Sequence, residues 1–426
     1  MVVLAPNTMN EYQHIQKTDP AVYSAACGEE ERERQGIELI PSENYTSQAV
    51  REAMGSVFTN KYSEGYPGKR YYGGQTYTDE IETLAIERAC QLFGAEHANV
   101  QPLSGAIANA ALYFALLESG DTILGMDLSH GGHLTHGHPV TVMSKIFNFV
   151  RYKMSDVATG EIDYDAVRAL AIEHKPKLIL AGFSAYSREL DYAAFRSIAD
   201  EVGAYAVADV AHIAGLIAGG VLKNPFDFGF DVMSMTTHKS LRGPRGGLIV
   251  TRSDEELARK IDKSVFPGLQ GGPHMHMVAA KAVAFAEALQ PKFKAYAAQV
   301  IKNAQVMADV FMKADIRLIG GGTDNHLILA DVSSLGLTGG EAETILDGIG
   351  ITLNKNVIAD DPRSPLDPSG IRFGTPALTT RGMKEVEAVA LAEMMVQALK
   401  QPTDQTLQEQ LRSDVRALCE KFPLPA

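Results

Sequence analysis

The sequence contains no tryptophan, and only three of its 426 residues are cysteines. Cys27, Cys90 and Cys419 are scattered and lack the spacing of metal ligands, so we expect neither a disulfide framework nor a structural zinc site. A phosphate-binding loop of the form GxxxxGK[ST] is also absent. Nothing in the motifs therefore supports a nucleoside-triphosphate-dependent enzyme.

Long basic and long apolar runs are missing as well. The formal net charge is -13, which disfavours nucleic acid as a partner because phosphate backbones are bound by net-basic surfaces. The most apolar stretch, residues 204–220, is interrupted by Asp209 and His212, and the N-terminus has no charged head followed by an apolar core. We expect no membrane association and a cytoplasmic protein, in agreement with the cysteine pattern.

Short apolar runs alternate with helical patterns along most of the chain, which predicts an α/β fold with a mostly parallel sheet. We predict a helical arm over residues 1–35, a large domain over 36–290 and a smaller α+β domain over 291–426. Predicted strands cover residues 122–126, 177–182, 204–209 and 327–331. Predicted helices cover residues 104–118, 163–173, 191–202, 275–314 and 340–349, with a closing helix over 384–399.

Lys239 is the most informative residue, because it follows an apolar strand and precedes two glycine-rich turns. Nearby His238, Arg242 and Arg245 would disfavour a protonated amine, and a lysine of lowered pKa is a nucleophile for carbonyl groups. The same cationic residues suit a phosphate, so the pattern points to pyridoxal phosphate. A solvated basic turn is the alternative for this motif taken alone.

Two other segments fit such a site. Asp209 ends an apolar strand three residues before His212, and a carboxylate is needed to hold the pyridine nitrogen of the cofactor protonated. Ser104 and Gly105 open a helix whose free N–H groups suit a phosphate. Separately, these residues are explained equally well as helix caps and a core histidine.

Three further motifs carry candidate chemistry. Residues 128–138 contain four histidines. A metal site is disfavoured, because glycine pairs would break the helix that aligns the ligands and no acidic residue adjoins them. An imidazole ring stacked on a cofactor is the preferred interpretation. A turn-rich loop over residues 62–74 combines tyrosines with Glu64. Arg372 lies between apolar neighbours and suits bidentate capture of a carboxylate, which points to an amino-acid substrate.

Taken in order, these segments resemble the serine hydroxymethyltransferase family of fold-type-I pyridoxal-phosphate enzymes. The resemblance spans nearly the whole chain, and its motifs are residues 38–44, 60–74, 130–137, 236–239, 266–273 and 322–326. It implies a large domain built on a mostly parallel sheet of the seven-stranded type and a smaller C-terminal α+β domain.

The resemblance also implies a set of site residues. Lys239 would bind pyridoxal phosphate covalently, Asp209 would pair with the pyridinium nitrogen, and His133 would stack on the ring. Further cofactor contacts would come from Ser104, Gly105, Ser184, His212, His238, Tyr62 and, from a second subunit, Gly271 and Gly272. Glu64 would transfer protons. The substrate side would be formed by Ser42, Tyr62, Glu64, Tyr72, Arg245 and Arg372, with Tyr72 also counted as catalytic, and the folate side by Leu128, Gly132, Leu134 and Asn356.

The implied reaction converts L-serine and tetrahydrofolate reversibly to glycine and 5,10-methylenetetrahydrofolate, with no metal. The tyrosine loop of this family reaches a neighbour's cofactor, which implies a homodimer or a dimer of dimers. An α-methylserine hydroxymethyltransferase or a threonine-type aldolase or transaldolase remains an alternative with the same cofactor. A regulatory protein that binds pyridoxal phosphate or RNA without catalysis is the alternative from another class.

Several positions depart from the usual family pattern. Ala106 and Ile107 replace a common serine and a glutamine or proline, and alanine has no hydroxyl group with which to contact the phosphate. Leu366 stands where a phenylalanine is frequent on the folate side, and Leu103 replaces a more polar residue. Ser234 and Met235 shorten a common threonine run.

Overall fold

The computed structural model describes residues 12–252 and 254–425. Part of the predicted arm, residues 1–11, lies outside the described residues. Its remainder forms two helices, α1 (Gln13–Thr18) and α2 (Pro20–Gln35). Asp19 caps the second helix, because its Oδ1 accepts hydrogen bonds from the backbone N–H groups of Ala21 and Val22. That the arm forms a domain of its own stays a prediction.

The helices and strands follow each other in the α/β order that the sequence predicts. The later helices are α3 (Gln48–Met54), α4 (Thr76–Phe93), α5 (Gly105–Leu116), α6 (Tyr164–His174), α7 (Tyr192–Val202), α8 (Ala214–Ala218), α9 (Glu255–Lys263), α10 (Met275–Ala288), α11 (Pro291–Lys313), α12 (Gly339–Gly348), α13 (Pro376–Thr380), α14 (Glu385–Lys400) and α15 (Gln405–Lys421). The strands are β1 (Ile37–Glu38), β2 (Gly65–Tyr66), β3 (Lys69–Arg70), β4 (His97–Asn99), β5 (Thr122–Met126), β6 (Asn148–Tyr152), β7 (Leu178–Gly182), β8 (Tyr205–Asp209), β9 (Val232–Thr236), β10 (Gly247–Thr251), β11 (Arg317–Leu318), β12 (Leu327–Asp331), β13 (Ile351–Thr352), β14 (Asn354–Asn356) and β15 (Gly370–Gly374).

A seven-stranded sheet with the order β4-β10-β9-β8-β7-β5-β6 forms the centre of the large unit. Strands β9, β8, β7, β5 and β6 are parallel to one another, whereas β10 is antiparallel to both β9 and β4. The predicted mostly parallel sheet is therefore confirmed. Strands β7 and β9 are buried along their whole length, as expected when helices cover both faces.

The sheet brings the ends of β8 and β9 side by side. Asp209, the last residue of β8, is in register with Ser234 of β9. The turn after β9 carries Lys239, and because the carboxyl ends of parallel strands share one edge, both residues reach the same side of the sheet. The predicted proximity of Asp209 and Lys239 is confirmed by the cavity that both line.

The C-terminal unit is built on the antiparallel sheet β11-β12-β15-β14 and has a hydrophobic core of its own. Ile37 and Leu39 pack in this core, and β1 pairs with β13, although the chain around residue 37 is far away in sequence. Helix α11 contributes to both cores, with Phe293 in the first and Phe311 in the second. The predicted domain boundaries stay predictions.

Two helix predictions for this region were wrong in part. The predicted single helix over 275–314 is two helices, α10 and α11, because Pro291 cannot continue a helix but suits the first position of a new one. The predicted closing helix is followed by another, α15, whose Leu411, Val415 and Cys419 are buried against the C-terminal core.

Candidate active site

Lys239 lies in a tight turn that hydrogen bonds hold from two sides. Its carbonyl accepts a hydrogen bond of 3.0 Å from Nδ2 of Asn44, and the hydroxyl of Ser240 donates to the carbonyl of His212 at 2.7 Å. Only 8% of Lys239 is exposed. Burial lowers the pKa of its amine to about 8, Asp209 opposes this change, and Arg372 and Arg245 add to it.

The predicted cause of this lowered pKa needs correction. Burial is its main cause, and of the three cationic sequence neighbours only Arg245 is among the groups that lower it. The guanidinium of Arg242 lies over the ring of Tyr296, 5.0 Å from its centroid, and so stabilises helix α11 instead. Burial also lowers the pKa of His238 to about 3, so this ring is neutral near pH 7.

Asp209 is a buried carboxylate with three hydrogen-bond donors. Its Oδ2 accepts from Nδ2 of Asn109 at 2.8 Å and from Nε2 of His136 at 3.0 Å, and its Oδ1 accepts from the backbone N–H of Ala211. Burial favours protonation, but the hydrogen bond and charge of His136 outweigh it and hold the pKa of Asp209 well below its ordinary value. The group therefore stays ionised at neutral pH.

The histidines around this carboxylate are held in fixed orientations. Nδ1 of His133 is 2.7 Å from the hydroxyl of Thr135, and burial lowers the pKa of this imidazole to about 4. His212 stacks on His326 with 5.4 Å between ring centroids, and Nε2 of His212 is 3.4 Å from the hydroxyl of Ser184. These rings are neutral at pH 7 because they are buried beside cationic groups.

Helix α5 begins at the edge of the cavity. Ser104 caps it, since its Oγ accepts a hydrogen bond from the N–H of Ile107. A Cβ atom at Gly105 would lie 2.7 Å from Cγ2 of Thr236, so only glycine fits without displacing the neighbouring strand. The first N–H groups of the helix therefore remain open to an anion.

Arg372 projects from β15 and joins the C-terminal unit to the cavity. Its Nη1 donates to the carbonyl of Ser184 at 2.7 Å, and its Nε donates to Oδ1 of Asn354 at 3.1 Å. Burial lowers its pKa to about 10, which still leaves it charged at neutral pH. A held guanidinium beside Ser42 and Arg245 suits a carboxylate ligand.

These side chains surround one cavity of about 380 Å³. The predicted site residues that line it are Ser42, Ser104, Gly105, His133, Ser184, Asp209, His212, His238, Lys239, Arg245 and Arg372. They come from segments spread between residues 42 and 372, so the tertiary fold brings together what the sequence separates. Their individual roles stay predictions.

A second group of predicted residues forms a separate cluster, outside the lining of this cavity. Tyr62 and Tyr72 meet edge to face with 5.3 Å between ring centroids, and they are 56% and 49% exposed. A Cβ atom at Gly271 would lie 3.4 Å from Oε1 of Glu64, and one at Gly272 would lie 3.1 Å from Cζ of Tyr62. The charge of Glu64 raises the pKa of the Tyr62 hydroxyl. We call these five residues the loop cluster.

The four residues predicted for folate also lie outside the cavity lining. Leu128 and Leu134 are exposed large apolar residues on either side of His133 in the chain. Gly132 cannot carry a side chain, because a Cβ atom there would lie 2.1 Å from the carbonyl oxygen of Met126. Asn356 pairs with Gly370 at the end of β14.

The structure shows where the residues that depart from the family pattern lie. Ala106 presents a methyl group to the cavity where a hydroxyl is common. Leu366 and Leu103 are both exposed. Ser234 donates a hydrogen bond of 2.6 Å to Oδ1 of Asn109 and thereby supports the amide that binds Asp209.

Sequence reasoning missed several residues of the site. His136 and Asn109 bind Asp209, His326 stacks on His212, and Glu43 lines the cavity. His136 lies in the four-histidine motif, so the motif was a usable signal. Asn109 gives no such signal, because it meets Asp209 across 100 residues of sequence. His326 lies in the family motif 322–326, but that motif does not reveal its contact with His212.

His133, His136 and Asp209 also bring possible metal-ligand atoms within 4.8 Å of one another. Oδ2 of Asp209 already accepts hydrogen bonds from His136 and Asn109. His133 joins the same hydrogen-bond network, because its backbone N–H donates to Nδ1 of His136 at 3.2 Å. Over the described part of the chain, no helix combines the length and apolar character needed to cross a bilayer.

The fold and the cavity define a class of enzyme. A buried lysine of lowered pKa, an ionised aspartate on the adjacent strand end and an open helix N-terminus fit pyridoxal phosphate in a fold-type-I α/β enzyme. The family model for serine hydroxymethyltransferase matches residues 15–395. The chain belongs to this family, whose members depend on pyridoxal phosphate and use tetrahydrofolate as co-substrate.

Similar curated proteins agree with this family. "Serine hydroxymethyltransferase 1" of Pseudomonas aeruginosa is 54% identical over 415 residues, covering 97% of this chain and 99% of the relative. The protein of the same name from Pseudomonas putida is 55% identical with the same coverage. "Serine hydroxymethyltransferase 2" of Pseudomonas syringae pv. syringae is also 55% identical, again over 97% of this chain and 99% of the relative.

Proposed function

We propose that the cavity around Lys239, completed by the loop cluster of a second copy of this chain, carries out the family's reaction. That reaction is the reversible conversion of L-serine and tetrahydrofolate to glycine and 5,10-methylenetetrahydrofolate. The observation that carries the proposal is the arrangement of charges in one cavity, where a nucleophilic lysine, an ionised aspartate and a held arginine converge. The names of the similar proteins favour serine over the alternative substrates.

The cofactor would be held at three points. Lys239 would bind its aldehyde, Asp209 its ring nitrogen, and Ser104 and Gly105 its phosphate. Pyridoxal phosphate, when bound, provides an electron sink for negative charge that develops at Cα of the amino acid. Asp209 sustains this capacity because its negative charge, buried and held by His136, favours a protonated ring nitrogen.

Lys239 serves as the nucleophile because its amine is partly neutral near pH 8. Its neighbours Arg245 and Arg372 disfavour the protonated amine and so increase the neutral fraction. The neutral ring of His133 adds a flat apolar wall to the cavity without adding charge. His212 and Ser184 would hold the ring oxygen side of the cofactor, since their side chains already lie within 3.4 Å of each other.

The amino-acid carboxylate would bind Arg372 and Ser42. The guanidinium of Arg372 is fixed by Ser184 and Asn354, so little conformational entropy is lost when substrate binds. Arg245 adds positive charge on the same side. This set selects an α-carboxylate and positions Cα near Lys239.

Glu64, with Tyr62 and Tyr72, would reach the cavity of a neighbouring subunit and move the proton between the serine hydroxyl and the folate. The exposure of these rings supports this proposal, because two clustered tyrosines in solvent are typical of a surface that another chain covers. Gly271 and Gly272 would approach the neighbour's cofactor phosphate from the same cluster. The active unit is then a homodimer, alone or within a dimer of dimers.

Leu128, Gly132, Leu134 and Asn356 would receive the folate. The exposed side chains of Leu128 and Leu134 offer an apolar surface beside His133.

A cytoplasmic location is part of the same proposal, supported by three free cysteines, of which Cys27 and Cys419 are buried.

A subunit-mixing experiment tests the shared site. Lys239→Ala and Glu64→Gln proteins, each strongly impaired alone, are co-expressed so that mixed dimers form. In a mixed dimer one cavity has both Lys239 and the partner's Glu64, so random pairing restores about one quarter of the wild-type activity. A mixture of Lys239→Ala with Asp209→Asn is the matched control, because both changes affect the same cavity and no complete site can form.

Activity is measured with serine and with α-methylserine, with and without tetrahydrofolate. We expect folate-dependent turnover of serine to be restored in the first mixture and absent from the control. Equal inactivity of both mixtures would show that Glu64 does not act across a subunit interface. Dominant turnover without folate would contradict the proposed substrate.

A further inference from the structure

Arg70 lies in a buried position directly behind Glu64. Its side chain is 3% exposed, and its Nη1 donates hydrogen bonds of 2.9 Å to the carbonyl oxygens of Ser63 and Gly65. These two carbonyls flank Glu64 in the chain. Nη2 of Arg70 pairs with Glu82, whose side chain is 1% exposed, and Nε pairs with Asp79. One guanidinium thus holds the backbone on both sides of Glu64.

Gln101 joins this cluster from another part of the fold. Its Nε2 donates to Oε1 of Glu82 at 2.7 Å and to the carbonyl of Gly65 at 2.9 Å. Both of its amide hydrogens are therefore used, whereas its Oε1 is buried without a partner among the described residues. The orientation of this amide is set by its two acceptors, one of which belongs to the Glu64 segment.

The segment that starts at Gln101 leads directly to Ser104, and it is held at successive backbone groups. Gln270 accepts from the N–H of Leu103 at 2.9 Å and donates to the carbonyl of Gln101 at 3.0 Å. Nζ of Lys281 donates hydrogen bonds to the carbonyl oxygens of Val100 and Pro102, on either side of Gln101 in the chain. Gln270 also immediately precedes Gly271 of the loop cluster.

We propose that Gln101 is a positioning residue that couples the Glu64 segment to the phosphate cradle at Ser104 and Gly105. This inference rests on the proposed function. In a dimer, Ser104 and Gly105 would serve a subunit's own cavity, whereas Glu64 would serve the partner's cavity. Gln101 then connects residues that bind the cofactor in one active site to the proton-transfer residue of the other active site. In this way it links the two active sites of the dimer.

The physical basis is the cost of loosening a buried polar network. Gln101, Glu82 and Arg70 are all buried, and removing one donor leaves acceptors without partners. Glu82 keeps its bonds to Arg70 when Gln101 is replaced, so the ion pair survives. The carbonyl of Gly65 keeps only Arg70, and the Glu64 segment becomes less tightly held relative to Ser104.

Gln101→Met tests this inference, because methionine matches glutamine in length and lacks its donors. Gln299→Met is the matched control, since Gln299 also donates to a carboxylate, Glu385, but lies on α11 outside the cavity lining. The purified holoenzymes are compared for the dissociation constant of pyridoxal phosphate and for kcat and KM with serine and tetrahydrofolate. Thermal denaturation checks that both variants are folded.

We expect Gln101→Met to lower kcat at saturating pyridoxal phosphate about tenfold and to weaken cofactor binding about tenfold, as the loss of a charge-assisted hydrogen bond predicts. KM for serine should stay within about twofold, because Arg372 and Ser42 are untouched. Gln299→Met should match the wild type in all three quantities. A general structural defect would not separate kcat from KM in this way.

A double variant separates this inference from the proposed role of Glu64. If Gln101 acts through Glu64, the kcat losses of Gln101→Met and Glu64→Gln do not multiply in the double variant. Multiplying losses, or unchanged cofactor binding in Gln101→Met, would refute the coupling. A fully active Glu64→Gln protein would instead refute the role of Glu64, and the cofactor-binding measurement would still decide whether Gln101 supports the cradle.

Discussion

Lys239 is predicted to capture pyridoxal phosphate through its neutral amine, with a rate that has its inflection near pH 8. The pKa of an ordinary lysine is 10.5, and burial together with Arg372 and Arg245 lowers it to about 8 here. At pH 7 about one amine in ten is then neutral, against about three in ten thousand for an ordinary lysine. The structure therefore predicts a reactive fraction about 300-fold larger than that of an ordinary lysine.

Single charge changes should move this inflection in opposite directions. Asp209 stabilises the protonated amine, so Asp209→Asn lowers the pKa of Lys239. Arg245 destabilises it, so Arg245→Gln raises that pKa. Arg242→Gln is the control, because Arg242 lies over Tyr296 and is not among the groups that shift Lys239.

The assay is stopped-flow absorbance after mixing apoprotein with pyridoxal phosphate, from pH 6 to 10. We expect the inflection at the lowest pH in Asp209→Asn and at the highest pH in Arg245→Gln. The wild type and Arg242→Gln should share an inflection between these two. A wild-type rate that still rises without an inflection at pH 10 would show that burial does not perturb Lys239. Equal shifts in Arg242→Gln and Arg245→Gln would mean that total charge, and not the geometry of the cavity, controls this pKa.

Two further predictions concern the support of the site and the stability of the fold. His136→Asn removes the buried imidazole that holds Asp209, so cofactor affinity should fall at least about tenfold in an absorbance titration, while His138→Asn on the same loop should leave it unchanged. Burial lowers the pKa of His133 to about 4 and those of His238 and His326 to about 3. Below about pH 6.5 the unfolded chain therefore binds more protons than the folded protein. The free energy of unfolding should be highest above that pH and should fall towards pH 4, by up to about 1.4 kcal/mol per pH unit for each histidine. A midpoint of urea denaturation that increases when the pH is lowered from 7.5 to 5 would contradict this assignment of neutral histidines.

Much of the site was predictable because its residues stand at marked positions in the chain. Asp209 and Lys239 each follow a run of apolar β-formers, and charged residues at the ends of parallel strands meet at one edge of a sheet. Arg372 was recognisable as a cation within a buried strand. The mostly parallel sheet followed from the regular alternation of strand and helix patterns, whereas its seven strands were implied by the family resemblance.

Other features depended on contacts that no local pattern records. Asn109 meets Asp209 across 100 residues, and His326 meets His212 across 114. Helix α15 was missed because its sequence is strongly polar and its few apolar residues pack only against the C-terminal core. The break before Pro291, by contrast, was readable and was overlooked.

By itself the sequence determined the order of strands and helices, the family to which the chain belongs, and which residue types stand where chemistry is possible. Only the tertiary structure decided which of them share a cavity and which, like Glu64 and Tyr62, form a cluster outside its lining. It also changed the explanation of Lys239, since burial contributes more than the neighbouring charges to lowering its pKa. The physical reason is that desolvation and hydrogen bonding depend on groups brought close by packing, which their separation along the chain does not reveal.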